Sequence, residues 1–285
     1  MAPSPLADCP PSRLAAVELF LSDMDGTWLG EHHVPTGGGS AAIAEASAAG
    51  VNFCFATGRC PLSASLASKL DLSSRPGIYS NGAVVRGAGG EPLYALDLPR
   101  EALTTLTSLA KEAGICALCN DVDDFWTESL TAPMALHLHE DYGDPYPRVG
   151  LPERAQLVHL VGNEATIDGI EDRVRREMST VAVGRNLPTD LVISHPQATK
   201  GDAAKRLSEA LGLTRFLCIG DSGNDVSMLR YAAESGNIGV AMGNARPAAA
   251  EAAEFLAAAR NVDEEPGVLE AVRAVVTAKD GGKSK

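Results

Sequence analysis

The sequence lacks the features that mark several large classes of protein. It has no apolar run of about 18 residues, so we expect no transmembrane helix. Basic residues are in the minority, with 24 Lys and Arg against 37 Asp and Glu, and the formal net charge is −13. A chain this acidic has no general attraction for nucleic acid or for an anionic membrane, so we expect neither partner. An anionic substrate would need a locally positive pocket, made by a metal ion, basic side chains or helix N-termini.

A disulfide framework and a zinc motif are also missing. Of the six cysteines, Cys54, Cys116 and Cys218 lie in apolar, strand-like runs, where cysteine acts as a small hydrophobic residue. Cys116 and Cys119 form a lone Cys-x-x-Cys pair, and no second Cys or His pair completes a zinc site. The pattern fits a reducing cytosol, so we expect a cytoplasmic protein.

Strand-like and helix-like runs alternate along most of the chain. The apolar runs at 17–22 and 51–56 have strand length and are followed by helical patterns, as in a parallel sheet buried on both faces. Between 85 and 194 the pattern changes to hairpins mixed with helices, which is typical of an α+β unit. The first pattern resumes at Lys200. We therefore predict an α/β fold, a Rossmann-like doubly wound parallel sheet core with an inserted α+β cap domain.

The predicted boundaries follow from these changes. Residues 15–84 and 195–285 form a discontinuous catalytic core, and residues 85–194 form the cap. Residues 1–14 are rich in proline and have no apolar core, so we expect a disordered arm. The alanine-rich stretch 245–259 is expected to be helical, because alanine has the highest helix propensity.

Acidic side chains follow two of the predicted strands. Asp23 and Asp25 come directly after the first, and Asp221, Asn224 and Asp225 follow a later strand at 216–219. Catalytic groups of open α/β sheets collect at the carboxyl ends of strands, and carboxylate oxygens suit Mg²⁺. Each cluster alone also fits a solvated turn or a helix cap. Two clusters that could converge favour a divalent metal site.

Two further signals point to an anionic ligand. Thr57, Gly58 and Arg59 follow the strand at 51–56, where a hydroxyl and backbone N–H groups at a helix start can bind an anion. Lys200 begins a predicted helix, a position that the helix dipole disfavours unless an anion lies nearby. An ordinary N-cap threonine and an exposed lysine are the alternative interpretations.

The four motifs, in this order and spacing, resemble those of the haloacid dehalogenase-like superfamily. Within it the chain is similar to the Cof-type phosphatases with a type IIB cap, which carry their cap between the second and third motifs. Asn81-Gly82-Ala83 ahead of the insert also resembles that subgroup, as does the stretch 240–245. Trp28, in place of the usual leucine, is a departure that could narrow the site entrance.

The resemblance implies a role for each motif residue. Asp23 would be the nucleophile that forms an aspartyl-phosphate, and it would also bind Mg²⁺. Asp25 would be general acid and then general base, with its backbone carbonyl on the metal. Thr57 and Lys200 would hold the phosphoryl oxygens. The remaining roles are metal ligation by Asp221, support of the metal site by Asn224 and Asp225, and substrate binding by Gly58, Arg59 and Asn81.

The predicted function is Mg²⁺-dependent hydrolysis of a small phosphate monoester, with a sugar phosphate as the first candidate, by a monomer or homodimer. A dedicated sucrose-, trehalose- or mannosyl-phosphoglycerate phosphatase or a phosphomannomutase relative is one alternative. A non-catalytic protein that binds a phosphorylated ligand or a partner is another, and the full set of reacting groups argues against it. Cap residues expected to be candidates for leaving-group contact are Asp123, Asp124, Trp126, Arg185 and Asn186.

Overall fold

The computed structural model describes residues 2–132 and 134–283. The described strands are β1 (Ser4–Pro5), β2 (Leu19–Ser22), β3 (Asn52–Phe55), β4 (Gly77–Tyr79), β5 (Val84–Arg86), β6 (Pro92–Ala95), β7 (Cys116–Asp121), β8 (Asp124–Thr127), β9 (Arg148–Val149), β10 (Leu157–Val161), β11 (Ala182–Leu187), β12 (Asp190–Ser194), β13 (Phe216–Gly220), β14 (Ile238–Ala241) and β15 (Phe255–Leu256). The described α-helices are α1 (Pro11–Ala15), α2 (Gly37–Ala48), α3 (Pro61–Ser68), α4 (Arg100–Ala113), α5 (His137–Tyr142), α6 (Glu164–Glu177), α7 (Lys200–Leu211), α8 (Val226–Glu234), α9 (Pro247–Ala252) and α10 (Gly267–Lys283).

The core sheet is parallel throughout, with the strand order β1-β15-β14-β13-β2-β3. Successive side chains of a strand point to opposite faces, so each face of this sheet has its own apolar layer. Phe20 packs with the buried side chains of α2 and α10 on one face. Leu19 and Leu21 pack with those of α7 and α8 on the other. The predicted doubly wound α/β core is confirmed.

The second sheet, which we call the cap sheet, has the order β11-β12-β10-β7-β8-β9. Its pairings are antiparallel except for β8 with β9. Leu106 of α4 and Val174 of α6 pack on one face, which we call the helix side. The opposite face packs against Cys60 of the core through Leu118 and Val161, and we call it the core side. The predicted α+β insert is thus a separate sheet with its own helices.

A third, three-stranded antiparallel sheet joins β4, β5 and β6. It includes strands on both sides of residue 85, so strand pairing alone places no boundary there. The division at residues 85 and 194 stays a prediction. None of the helices within the described ranges is long and apolar enough to cross a bilayer.

The expected disordered arm is wrong for the described residues 2–14. Ser4 and Pro5 pair in parallel with β15, and Leu6 and Leu14 are buried in the core. The Arg13 guanidinium donates to both oxygens of Glu254, at 2.6 and 2.8 Å. The prolines do not prevent this order, because β1 lies at the edge of the sheet and Pro11 occupies the first turn of a helix, where its missing N–H has no effect.

The prediction that the alanine-rich stretch 245–259 is helical is also only partly correct. The helix α9 ends at Ala252, and Ala253 is extended. Phe255 then enters the core sheet as part of β15 and is buried. Burial of an aromatic side chain in the sheet outweighs the local helix propensity of alanine.

Candidate active site

Polar residues that follow three neighbouring strands meet at one edge of the core sheet. Asp23 follows β2, Thr57 comes shortly after β3, and Asp221 follows β13. Because β13, β2 and β3 are adjacent and parallel, these residues lie at the same, carboxyl edge. The Asp23 N–H donates to the carbonyl of Ile219 in β13 at 2.9 Å, which extends the strand pairing into the site.

Lys200 reaches this edge from the first turn of α7. The helix begins there because Thr199 is its N-cap, with the side-chain oxygen accepting from the Asp202 N–H at 3.0 Å. Lys200 is buried, and its Nζ donates to Asp23 Oδ1 at 2.6 Å and to Asp225 Oδ1 at 2.7 Å. Burial disfavours the ammonium form, but the two carboxylates outweigh it and raise the pKa of Lys200. The lysine is therefore charged.

Three carboxylates form the negative centre of the site. Side-chain oxygens of Asp23, Asp221 and Asp225 lie within 4.8 Å of one another. Burial, and after it the charge of Asp225, raises the pKa of Asp23 well above its usual range. The same two causes raise the pKa of Asp221 to about 6. A cation at this cluster would reverse both effects, because it favours the ionised carboxylates.

The donor set fits a magnesium ion. Three carboxylates and the Lys200 ammonium leave two net negative charges, and every candidate ligand is an oxygen atom, as Mg²⁺ prefers. Asp225 already accepts from Lys200 and, through Oδ2, from the N–H groups of Asp221 and Ser222 at 3.0 Å each. Asp23 and Asp221 are therefore the better placed ligands, and Asp225 supports them.

Gly26 allows the Asp221 carboxylate to lie directly against the turn after β2. Its φ is +82°, and a side chain there would place Cβ 2.6 Å from Asp221 Oδ2. Thr27 of the same turn donates to Asp221 Oδ1 at 3.1 Å. The turn thus fixes one carboxylate of the cluster by close contact.

The Asp25 side chain lies apart from this cluster and is held by two basic groups. Arg59 Nε donates to Oδ2 and Nη2 donates to Oδ1, both at 2.8 Å. Nδ1 of His33 lies 2.6 Å from Oδ1. Burial opposes ionisation, but the hydrogen bonds with His33 and Arg59 outweigh it and lower the pKa of Asp25 to about 2. Asp25 is thus a carboxylate at neutral pH, and any metal contact would come from its backbone carbonyl.

The residues predicted to bind the phosphoryl group or the substrate line the same edge of the core sheet. Thr57 is fully buried, and its Oγ1 accepts from the Arg59 N–H at 3.1 Å. Asn224 Nδ2 donates to Asn81 Oδ1 at 2.9 Å. A Cβ at Gly58 would lie 3.0 Å from the same Asn81 oxygen, so Gly58 permits the close approach. The structure therefore brings all ten predicted site residues to one edge of the sheet; their roles stay predictions.

Residues of the cap complete the surroundings of Asp25. Arg59 Nη1 donates to the carbonyl of Tyr142 at 3.1 Å and lies 3.6 Å from Asp144 Oδ1. The rings of His33 and Tyr142 are 5.1 Å apart. The two cap residues were not among the predicted site residues, because only the docking of the cap brings them here. The only feature of the sequence that pointed to His33 as a site residue was its position, eight residues after Asp25.

Two of the cap residues expected to contact a leaving group face away from the core. Trp126 packs with the helix side of the cap sheet. Arg185 pairs with Asp168 and Glu171 of α6, at 2.6 and 3.1 Å. Side chains alternate along a strand, so the helix side takes these positions and the core side takes their neighbours. The expectation of substrate contact by Trp126 and Arg185 is therefore wrong.

The other candidates are placed differently. Asp123 lies in the β7–β8 turn, where it accepts from the Leu62 N–H at 2.7 Å and pairs with Arg86 at 3.0 Å. Asp124 pairs with Arg148 at 2.9 Å, and both side chains are exposed. The side chain of Asn186 lies outside the described residues.

Comparison with known proteins agrees with this architecture. A family model described as haloacid dehalogenase-like hydrolase matches residues 20–272. The Bacillus subtilis protein named "Putative phosphatase YxeH" is 31% identical over 92% of this chain and 99% of its own length. An HMP-PP phosphatase of Yersinia pseudotuberculosis is 30% identical over 79% of this chain and 83% of its own. A haloacid dehalogenase-like hydrolase structure from Bacteroides thetaiotaomicron has the same fold, with a TM-score of 0.77, 23% identity and coverage of 91% and 99% of the two chains. The chain therefore belongs to the haloacid dehalogenase-like hydrolases and is a phosphatase of the Cof type.

Proposed function

We propose that this phosphatase uses Mg²⁺ to hydrolyse a small phosphate monoester through an aspartyl-phosphate on Asp23. The observation that carries the proposal is the buried contact of Lys200 with Asp23, beside two further carboxylates at the edge of the core sheet. A lone nucleophilic carboxylate would repel a phosphate dianion. Here a fixed ammonium lies against it, and the donor set fits a divalent cation.

In the first step, a carboxylate oxygen of Asp23 attacks phosphorus and the bond from phosphorus to the ester oxygen breaks. Lys200 and Thr57 are placed to stabilise the equatorial phosphoryl oxygens, as fixed donors in a buried site. Asp25 donates a proton to the leaving oxygen, so the product is a neutral alcohol. Asp23 and Asp221 would hold Mg²⁺, which when bound supplies positive charge to the phosphoryl oxygens.

In the second step, water attacks phosphorus and the bond from phosphorus to Asp23 breaks. Asp25, which the first step leaves as a carboxylate, accepts a proton from the water. Inorganic phosphate and the free Asp23 carboxylate result. The acid step requires Asp25 to be protonated, which the negative charge of a bound phosphate group favours. The covalent route replaces one difficult displacement with two easier ones.

The substrate proposed first is a sugar phosphate, and the cap is proposed to select it. Asp23, Thr57 and Lys200 would contact only the phosphoryl group, which all monoesters share. The described cysteines are free and buried, which supports a cytoplasmic location. The protein is proposed to act as a monomer or a homodimer.

The test is release of inorganic phosphate from a panel of phosphorylated sugars, nucleotides and cofactors with Mg²⁺. Asp23→Asn should lose activity on every compound while keeping its circular dichroism spectrum. The matched control is Asp172→Asn, which changes an exposed carboxylate on α6. An Asp23→Asn protein that retains near wild-type turnover would refute the covalent route.

A further inference from the structure

A segment of the cap, residues 142–144, touches both groups that hold the Asp25 carboxylate. Arg59 donates to the Tyr142 carbonyl at 3.1 Å, and its Nη1 lies 3.6 Å from Asp144 Oδ1. The His33 ring lies 5.1 Å from the Tyr142 ring and its Nδ1 is 2.6 Å from Asp25. Asp25 is therefore connected to the cap by two separate routes.

The first route depends on the orientation of a rigid guanidinium. Arg59 uses one edge, Nε and Nη2, for the two oxygens of Asp25, and directs the remaining nitrogen, Nη1, to the cap. Its side chain is only 6% exposed, so water does not compete freely for these donors. Because the guanidinium is planar, a rotation that loses the cap partners also moves the donors on Asp25.

The contact with Arg59 also stabilises the buried carboxylate of Asp144. The residue is 8% exposed, and its Oδ1 is buried without a hydrogen-bond partner among the described residues. A buried carboxylate is unfavourable unless a cation lies nearby, and the nearest cationic contact of Oδ1 is Arg59 Nη1 at 3.6 Å. Asp144 therefore lies against Nη1, the guanidinium nitrogen that does not contact Asp25.

The second route passes through a backbone that is unfavourable for its residue. His33 has a φ of +56°, in the left-handed region that residues other than glycine rarely adopt. This conformation directs the imidazole between Asp25 and the Tyr142 ring. Such a conformation persists only where surrounding contacts favour it.

We propose that cap segment 142–144 is a positioning element for Asp25, acting through Arg59 and His33. The Tyr142 carbonyl and the Asp144 carboxylate would hold Arg59, and the Tyr142 ring would hold His33, in the orientation in which both contact Asp25. This inference rests on the role of Asp25 proposed above. It assigns a catalytic consequence to two cap residues that contact neither the nucleophile nor the carboxylate cluster in the contacts described.

The test exploits the proton that Asp25 gives to the leaving oxygen. We compare kcat/KM of wild type and Asp144→Asn on the best sugar phosphate of the panel, on phenyl phosphate and on para-nitrophenyl phosphate. Nitrophenolate departs without a proton, whereas a sugar alkoxide needs one, and kcat/KM includes only the steps up to alcohol release. General acid catalysis is worth about 10²–10⁴-fold, so a misplaced acid should cost about tenfold on the sugar ester and less than about threefold on the nitrophenyl ester.

Asp172→Asn is the matched control, since it changes an exposed carboxylate of the cap helix α6 that has no contact with Arg59 among those described. If Asp144→Asn does not fold, Arg59→Lys takes its place in the test. This variant keeps the positive charge but loses the two-donor edge, and should give the same selective loss. Equal losses on all three esters, no loss, or the same selective loss in the control would overturn the positioning role alone. Absence of wild-type activity, or full activity of Asp23→Asn, would instead overturn the proposed function.

Discussion

Lys200 Nζ lies 2.6 Å from Asp23 Oδ1, and both side chains are buried. The two residues are 177 positions apart, so the contact exists only because the chain returns to the core sheet after the cap. The ammonium offsets the repulsion between the Asp23 carboxylate and an incoming phosphate. It also offsets the charge of Asp225, which would otherwise be buried unpaired.

Lys200→Met should therefore affect every substrate together. The variant keeps the length of the side chain but removes the cation that faces the phosphoryl oxygens. Loss of one fixed electrostatic donor typically costs about 10²–10³-fold in kcat. Steady-state kinetics on a sugar phosphate and on para-nitrophenyl phosphate measures the loss, and we expect a common factor for both.

Lys205→Met is the matched control, because Lys205 is an exposed lysine of the same helix. It should leave kcat within about twofold, as surface changes away from special contacts have small effects. Removing one partner of a buried ion pair costs about 3–5 kcal/mol, so Lys200→Met should also unfold at lower urea concentration. A Lys200→Met protein with wild-type turnover would contradict the role of this contact.

Metal removal should abolish activity, and binding should be visible without any substrate. We expect EDTA to stop phosphate release and Mg²⁺ to restore it, whereas Ca²⁺, with about 6–8 flexible ligands, should misplace the phosphate and inhibit. A ligand that binds only the folded state raises its stability, so Mg²⁺ should raise the Tm of the metal-free protein. Thermal melts with and without Mg²⁺ measure the shift.

Asp221→Asn should lose most of this Mg²⁺-induced Tm shift, because Asp221 and Asp23 supply the oxygen ligands. Asp172→Asn, on the exposed face of α6, should keep it. Equal shifts in both variants would place the metal elsewhere, and full activity in EDTA would exclude a metal requirement.

Motif residues could be predicted from the sequence because their signals are local. Asp23, Thr57 and Asp221 each follow an apolar run, and the carboxyl ends of parallel neighbours must meet at one edge. Lys200 lies at a helix start, where the dipole disfavours it, and the anion next to it in the structure is the Asp23 carboxylate. Strand identity and order thus placed the reacting groups together.

Features that depend on packing between distant segments of the chain could not be predicted in the same way. A one-residue difference in strand phase decides whether a side chain faces the core or α6, and both faces of the cap sheet are apolar. The sequence therefore could not show that Trp126 packs on the helix side. The proline-rich arm and β15 are ordered by each other, as Ser4 pairs with Phe255 over 250 positions away. No local pattern in either segment contains that information.

The face of the cap sheet on which a residue lies predicts whether that residue affects substrate specificity. Trp126→Phe and Arg185→Lys should lower the Tm, because both side chains pack or pair on the helix side, but should not change the ranking of substrates by kcat/KM. Tyr142→Leu, at the edge of the site beside His33, should change that ranking. A substrate panel measured for all three variants checks it. Reordering by Trp126→Phe, with Tyr142→Leu unchanged, would contradict the assignment of faces.

The last prediction concerns pH and stability. His159 of β10 and Asp190 of β12 lie on the core side of the cap sheet, buried, with Nδ1 3.1 Å from Oδ1. Burial disfavours the imidazolium, but the charge and hydrogen bond of Asp190 outweigh it and raise the pKa of His159 above its ordinary value.

The folded state therefore binds the proton more tightly than the unfolded chain, whose histidine has a pKa of about 6.5. The resulting stabilisation is complete below that value and is lost as the pH rises through the higher pKa of the folded state. Urea unfolding in EDTA, at intervals from pH 6 to pH 9, should show a free energy of unfolding that falls over this window in wild type. His159→Gln should lack that component, whereas His195→Gln, which changes a half-buried histidine after β12, should retain it. The same pH dependence in wild type and His159→Gln would show that this pair is not its source.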